Sequence, residues 1–250
     1  QVYHRVQMYI VNTLKLLSIF FFLVLSSGCI TGPKEPATAE EAFQIAKELD
    51  DDSKYTAALT RYADVKNKFP YSNLATDAEL AIADVHYKSE SFPEAQISYQ
   101  NFRDLHPKHA RIDYVVFRIA LSYYMQLPED IDRDLVLAND AIYHFNELIK
   151  KYPSSEFIEQ AQANRKKSFV MLNEKELYIA DFYYKQKTYD SALLRYVSAY
   201  KKFPDFGLEP RSLAGIIKSA KALDDSEKQK TYTDILLAKF PESIEAQDLK

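Results

Sequence analysis

Apolar residues between Thr38 and the C-terminus recur with the spacing of amphipathic helices, and five prolines divide this pattern into segments of similar length. A helix usually ends before a proline, because the ring disfavours the α conformation of the preceding residue. We therefore expect one helix to end just before each of these prolines. They are Pro70, Pro107, Pro153, Pro204 and Pro241.

The helix before each proline carries a small and an aromatic residue at fixed distances from it. Alanine lies twelve residues before the first four prolines, at Ala58, Ala95, Ala141 and Ala192. An aromatic residue lies eight residues before them, at Tyr62, Tyr99, Phe145 and Tyr196. The fifth copy departs from the pattern, with Gln229 and Thr233. Residues four apart share a helix face, and five unrelated helix pairs would not repeat these offsets in four copies.

A second helix precedes several of these and is marked by an Ile-Ala pair that ends at Ala83, Ala120 or Ala180. Two helices closed by a proline resemble the tetratricopeptide repeat. That resemblance implies an all-α fold, an α-α superhelix of about five degenerate repeats with a concave groove, because each repeat buries its apolar face by stacking on its neighbour.

Three departures from the repeat are visible. Glu90 and Lys187 replace the glycine that the repeat has at its internal turn. The third repeat contains an insertion from Leu127 to Asp134, and the segment from Phe157 to Lys187 is predicted to form one long helix.

The N-terminal segment is apolar over a short stretch, from Leu16 to Leu25, behind Lys15. This run is shorter than the roughly 18 to 20 residues that span a bilayer, and small residues follow it as in a signal peptide. Met8 is a candidate start. The alternative interpretation is a retained transmembrane anchor that holds a cytosolic adaptor.

Cys29, which is the sole cysteine, directly follows this segment, so it has no intramolecular disulfide partner. The sequence from Leu25 to Cys29 resembles a bacterial lipobox, in which the cysteine is acylated and becomes the mature N-terminus, although Ser26 stands where leucine is usual. We expect a lipoprotein signal peptide over 1–28, a lipid-anchored tether over 29–38 and the repeat domain over 39–250. Ile30 after the cysteine resembles lipoproteins that are sent to the outer membrane.

Composition narrows the classes of function. Only 4 glycines occur in 250 residues, which disfavours hairpin-rich β folds. A formal net charge of −4 gives no basis for binding nucleic acid, which depends on clustered Lys and Arg.

Candidate catalytic and metal-binding groups are few. His106 and His109 flank a proline without a third ligand nearby, and Asp130, Asp132 and Asp134 lack the glycine and glutamate of a calcium loop. Neither a phosphate-binding glycine loop nor a nucleophile elbow is present. We therefore expect a protein that is not an enzyme and needs no cofactor or metal beyond the covalent lipid on Cys29.

A more specific resemblance is to the BamD family, the lipoproteins of the β-barrel assembly machinery in Gram-negative outer membranes. It is carried by the insertion around Asp132-Arg133-Asp134, by the segment from Phe145 to Ser155 and by the helix from Glu176 to Tyr184, although Leu135 replaces an expected proline. The resemblance implies a scaffold on the periplasmic face of the outer membrane. Its implied partners are the POTRA domains of the barrel subunit, other assembly lipoproteins and unfolded outer-membrane proteins.

The same resemblance suggests sites. Arg195 falls where the family has a basic residue that contacts the barrel subunit; the alternative is a solvated arginine on a helix face. The N-terminal groove is the family's proposed site for nascent barrels, and aromatic residues at helical spacing are as readily core residues. The groove candidates are Tyr55, Tyr62, Tyr87, Phe92 and Tyr99.

Another function from a different class fits the same fold. A repeat lipoprotein could coordinate cell-wall growth and division, or act as a pilotin that escorts secretin subunits. The proteins recovered with this chain would distinguish these hypotheses from barrel assembly.

Overall fold

The computed structural model describes residues 35–249, and the chain divides into two compact units, Gln1–Ala37 and Thr38–Lys250. Across the described residues the regular elements are helices, as predicted. They are α1 (Ala39–Asp51), α2 (Tyr55–Lys68), α3 (Asn73–Lys88), α4 (Phe92–Leu105), α5 (Ile112–Met125), α6 (Val136–Lys151), α7 (Ile158–Lys185), α8 (Tyr189–Lys202), α9 (Glu209–Ala222), α10 (Ser226–Lys239) and α11 (Ile244–Gln247).

The helices form five consecutive pairs, from α1 and α2 to α9 and α10, and α11 packs on α9. Each helix packs chiefly on its neighbours in sequence, and first helices of successive pairs also touch, as α1 touches α3 and α7 touches α9. This is the α-α superhelix of five tetratricopeptide repeats that the sequence predicted. Repeat n below denotes the nth pair.

The five prolines mark helix ends as predicted. The second helix of every repeat ends two residues before its proline, at Lys68, Leu105, Lys151, Lys202 and Lys239. The residue between adopts an extended backbone, with φ −127° at Phe69 and −126° at His106, because the proline ring excludes the α conformation there.

The turn inside four repeats is a Schellman motif in which a residue other than glycine adopts positive φ. In repeat 2, Glu90 has φ 59°, its N–H donates to the Tyr87 carbonyl at 3.1 Å, and Ser91 N–H donates to the His86 carbonyl at 2.9 Å. Lys187 has φ 60° in the same arrangement. The motif satisfies carbonyls at the helix end that glycine usually serves. Ser53 and Asp224 occupy the same place in repeats 1 and 5.

The core follows the small and aromatic positions of the second helices. The four alanines twelve residues before the prolines are fully buried, and so are the aromatic residues eight before them, to within 2% exposure. In α10, where the pattern fails, Leu236 is the one buried residue. Alanine therefore sets the distance between helices, and the aromatic ring fills the space beside it.

Helix α7 is 28 residues long, which confirms the predicted long helix. Its first half runs antiparallel to α6: Arg165 Nη1 donates to Asn146 Oδ1 at 2.8 Å, and Lys175 Nζ donates to the Arg133 carbonyl in the insertion. Because α6 begins at Val136, only one residue after Asp134, the part of α7 beyond Lys175 extends past the end of α6. Asp134 itself accepts the Val136 N–H at 2.9 Å and caps α6.

Candidate binding surfaces

Two of the predicted groove residues lie in the core. Tyr62 is 2% exposed and Tyr99 is 0% exposed, and burial raises the pKa of both phenols. The prediction that their rings line a groove is therefore wrong, because eight residues before the proline the side chain points between helices. The alternative stated from the spacing, a core role, is the correct one for these two.

The other three groove candidates are half-buried. Tyr55 packs at the edge of the first core cluster, while Tyr87 and Phe92 meet edge to face with ring centroids 5.2 Å apart. The Arg118 guanidinium lies 4.3 Å from the Tyr87 centroid, within cation–π distance. An aromatic surface beside a cation thus runs from α3 to α5.

A carboxylate lies at the centre of this surface, and the sequence analysis did not single it out. Asp84 Oδ1 on α3 accepts the Tyr99 hydroxyl from α4 and the Tyr114 hydroxyl from α5, each at 2.6 Å. Arg118 Nε donates to the Tyr114 hydroxyl oxygen at 2.9 Å. Asp84 therefore ties both helices of repeat 2 to the first helix of repeat 3.

The same arrangement recurs two repeats later. Asp181 on α7 accepts the Tyr196 hydroxyl, Arg211 Nη2 at 2.8 Å and Lys218 Nζ at 3.5 Å. Burial acts to raise the pKa of Asp181, but the hydrogen bonds from Tyr196 and Arg211 outweigh it and hold that pKa below its usual value. Each aspartate precedes its tyrosine by fifteen residues, an offset that could have revealed both from the sequence.

Arg195 lies on α8 with its side chain 44% exposed. Its Nη1 donates to Glu176 Oε2 on α7 at 3.2 Å. A pair this exposed contributes little to stability, so the guanidinium is available to a partner. The contact predicted for Arg195 stays a prediction.

Other candidate sites resolve into local contacts or lie elsewhere. His106 Nε2 is 2.7 Å from Glu79 Oε2, and the ring of His109 packs edge-on against Phe102. Over residues 35–249, His, Cys, Asp and Glu side chains form no group of three fit to hold a metal. Cys29, the signal peptide and most of the tether lie outside the described residues.

Comparison with known proteins decides the family. The family model described as outer membrane lipoprotein, YfiO, matches residues 35–248, which is nearly the whole repeat domain. The chain belongs to this family. Within the described residues, no helix of this family member is long and apolar enough to cross a membrane.

Curated relatives agree with the YfiO match. The chain is 27% identical over 215 residues to outer membrane protein assembly factor BamD of Neisseria gonorrhoeae, covering 82% of this chain and 80% of the relative. It is 24% identical to the BamD of Pasteurella multocida over 255 residues, 91% of this chain and 98% of the relative. Recognition of the BamD family from the sequence is thereby confirmed.

Solved structures also resemble the chain. The type IV pilus biogenesis factor PilW matches with a TM-score of 0.36 and 17% identity over 86% of this chain and 99% of its own. A thermophilic tetratricopeptide repeat protein from Thermus thermophilus matches with a TM-score of 0.40 and 14% identity over 85% and 96%. No functional conclusion follows from similarity at this level.

Proposed function

We propose that this chain is a non-enzymatic scaffold of the machinery that folds and inserts β-barrel proteins into the outer membrane. The observation that carries the proposal is the family match over residues 35–248, supported by relatives that are named outer membrane protein assembly factors. A stack of helix pairs with buried alanines is a rigid binding surface, which suits a scaffold.

In this proposal the C-terminal repeats bind the POTRA domains of the barrel subunit. The half-exposed Arg195 supports this, because a guanidinium on a rigid helix can donate to a carboxylate with fixed geometry. Other assembly lipoproteins would join the same complex.

The N-terminal repeats would receive unfolded outer-membrane proteins. Tyr55, Tyr87 and Phe92 are half-buried, so they present ring surface and yet are held in place by the core. Arg118 beside Tyr87 adds a cation that aromatic side chains and carboxylates both attract. Tyr62 and Tyr99 support this surface from below.

Lipid on Cys29 would hold the domain at the periplasmic face of the outer membrane. The cysteine precedes Thr38, the N-cap of α1, by a short tether with Pro33 and Pro36. The mass of the mature N-terminus tests this directly: cleavage before Cys29 with added acyl chains is expected, and an intact 1–28 segment would contradict it.

Affinity purification from solubilised outer membrane tests the function. We expect a tagged protein to recover a large barrel protein with POTRA domains, and depletion to leave outer-membrane proteins unfolded. Recovery of peptidoglycan enzymes or of a secretin, with an intact barrel proteome on depletion, would instead support the envelope-growth or pilotin hypothesis.

A further inference from the structure

One face of the first helix is buried against the preceding repeat in three of the repeats. The residue two places after the alignment positions Ala83, Ala120 and Ile217 marks this face. These residues are fully buried, at 0% exposure. They are Val85, Ser122 and Ser219.

The contacts show what covers this face. Val85 belongs to the cluster that contains Tyr62 and Val65 of the preceding repeat. Gly215, two places before Ile217, lies directly against the Tyr196 ring of the preceding repeat. The cover is therefore the second helix of the repeat before.

In repeat 4 the same face is open. The equivalent residues around Ala180 are Tyr178 and Phe182, which are 51% and 53% exposed. They are one helical turn apart on the same side of α7. Neither belongs to a core cluster among the described residues.

The length of α7 explains the opening. Its first half packs on repeat 3 through Ala161 and Ile158, in the position that the first helix takes elsewhere. Helix α6, which would cover the second half, ends its antiparallel run at the level of Lys175, whose Nζ reaches the Arg133 carbonyl. Two aromatic side chains thus stand where the other repeats have buried small or branched ones.

Arg195 lies at the rim of this open face. Its equivalent in repeat 2, nine residues before the proline, is Ser98, and the equivalent of Glu176 is Glu79. Ser98 and Glu79 line one cavity together with Lys66 of the preceding repeat. Arg195 and Glu176 therefore lie on the side from which the preceding repeat would approach.

We propose that Tyr178, Phe182 and Arg195 form a docking surface for a domain of a partner protein, which covers the stacking face that repeat 3 leaves open. The partner would supply apolar side chains for the two rings and a carboxylate for Arg195, whose guanidinium donates only to Glu176 among the described residues. This rests on the proposed function, and the POTRA-bearing barrel subunit is the occupant tested.

The aromatic pair gives the sharpest test. Tyr178→Ser together with Phe182→Ser should lower recovery of the barrel subunit by at least about tenfold, since buried aromatic anchors dominate interfaces. The control is Ile97→Ser with Tyr143→Ser, which are 55% and 66% exposed and lie ten residues before their prolines on second helices. Thermal unfolding should be unchanged in both doublets, because none of the four side chains is buried.

A photoactivatable residue at position 178 should cross-link to the barrel subunit, and one at position 143 should not. Undiminished recovery by the aromatic doublet, alongside normal recovery by the native protein, would overturn the docking surface and leave the proposed function standing. A native protein that recovers no barrel subunit would overturn both. Self-association that is lost in the doublet would place a second copy on this face and also overturn the proposal.

Discussion

Gly215 lies so close to Tyr196 that a β-carbon built on it would be 2.3 Å from Cδ1 of the ring. Gly215 is in the middle of α9, where glycine ordinarily destabilises a helix. The ring cannot retreat easily, because its hydroxyl is held by Asp181 and the side chain is 1% exposed. Glycine is needed at this position so that repeats 4 and 5 can approach.

Gly215→Ala is therefore expected to destabilise the protein by about 1–3 kcal/mol, as overpacking does, and not to stabilise it as alanine in a helix usually would. Urea unfolding measures the change. In a Tyr196→Ala background the same substitution should cost much less, because the clash is gone. A stabilising effect in the native background would contradict the steric interpretation.

Glycine should be favourable at the internal turns. Glu90→Gly and Lys187→Gly place glycine at φ 59° and 60°, where side-chain-bearing residues are strained. Each is expected to raise the free energy of unfolding by about 1 kcal/mol. Lys167→Gly, at an exposed position inside α7, is the control and should lower it by about 1 kcal/mol. Equal effects at 187 and 167 would mean that the turn conformation is not strained.

Asp84 should contribute to stability through its two phenol partners. Asp84→Ala leaves the fully buried Tyr99 without an acceptor for its hydroxyl, which typically costs about 1–3 kcal/mol. Asp77→Ala, on an exposed part of the same helix, is the control and should change stability by less than about 0.5 kcal/mol. Chemical unfolding of the two variants side by side decides between them.

Asp181 should make stability depend on pH at the acid end. Its pKa is lower in the folded state than in the unfolded chain, so its contribution is complete above the unfolded pKa, near 4, and is lost as pH falls through the folded pKa. Asp181→Asn should flatten this part of the curve of unfolding free energy against pH. An unchanged acid slope in the variant would show that other carboxylates produce it.

The comparison between sequence and structure depends on what each residue's neighbours decide. Proline acts on the residue next to it, so the ends of α2 and α8 at Lys68 and Lys202 were predictable. Fixed offsets located Ala58 and Tyr62 on one face, but the side on which another helix packs is a tertiary property. Hence Tyr62 was offered to a groove and is buried, while Tyr178 drew no attention and is exposed.

The candidate site was predictable to a similar degree. Arg195 was placed by resemblance, whereas its pairing with Glu176 depends on how α7 and α8 pack. Asp84 and Asp181 escaped notice because a lone aspartate in a helix has no local signature. Their roles arise only where three helices meet.

Arg195 offers a test that separates a structural role from a partner contact. Arg195→Glu places two carboxylates together at the Glu176 site and should greatly reduce recovery of the barrel subunit. The exchange variant, Arg195→Glu with Glu176→Arg, restores the local ion pair but moves the cation from α8 to α7. If Arg195 contacts the partner directly, the exchange variant should remain defective in recovery while its thermal unfolding matches the native protein. If the exchange restores recovery, the role of Arg195 is to hold α7 and α8 together, and the partner contact must be sought among other side chains.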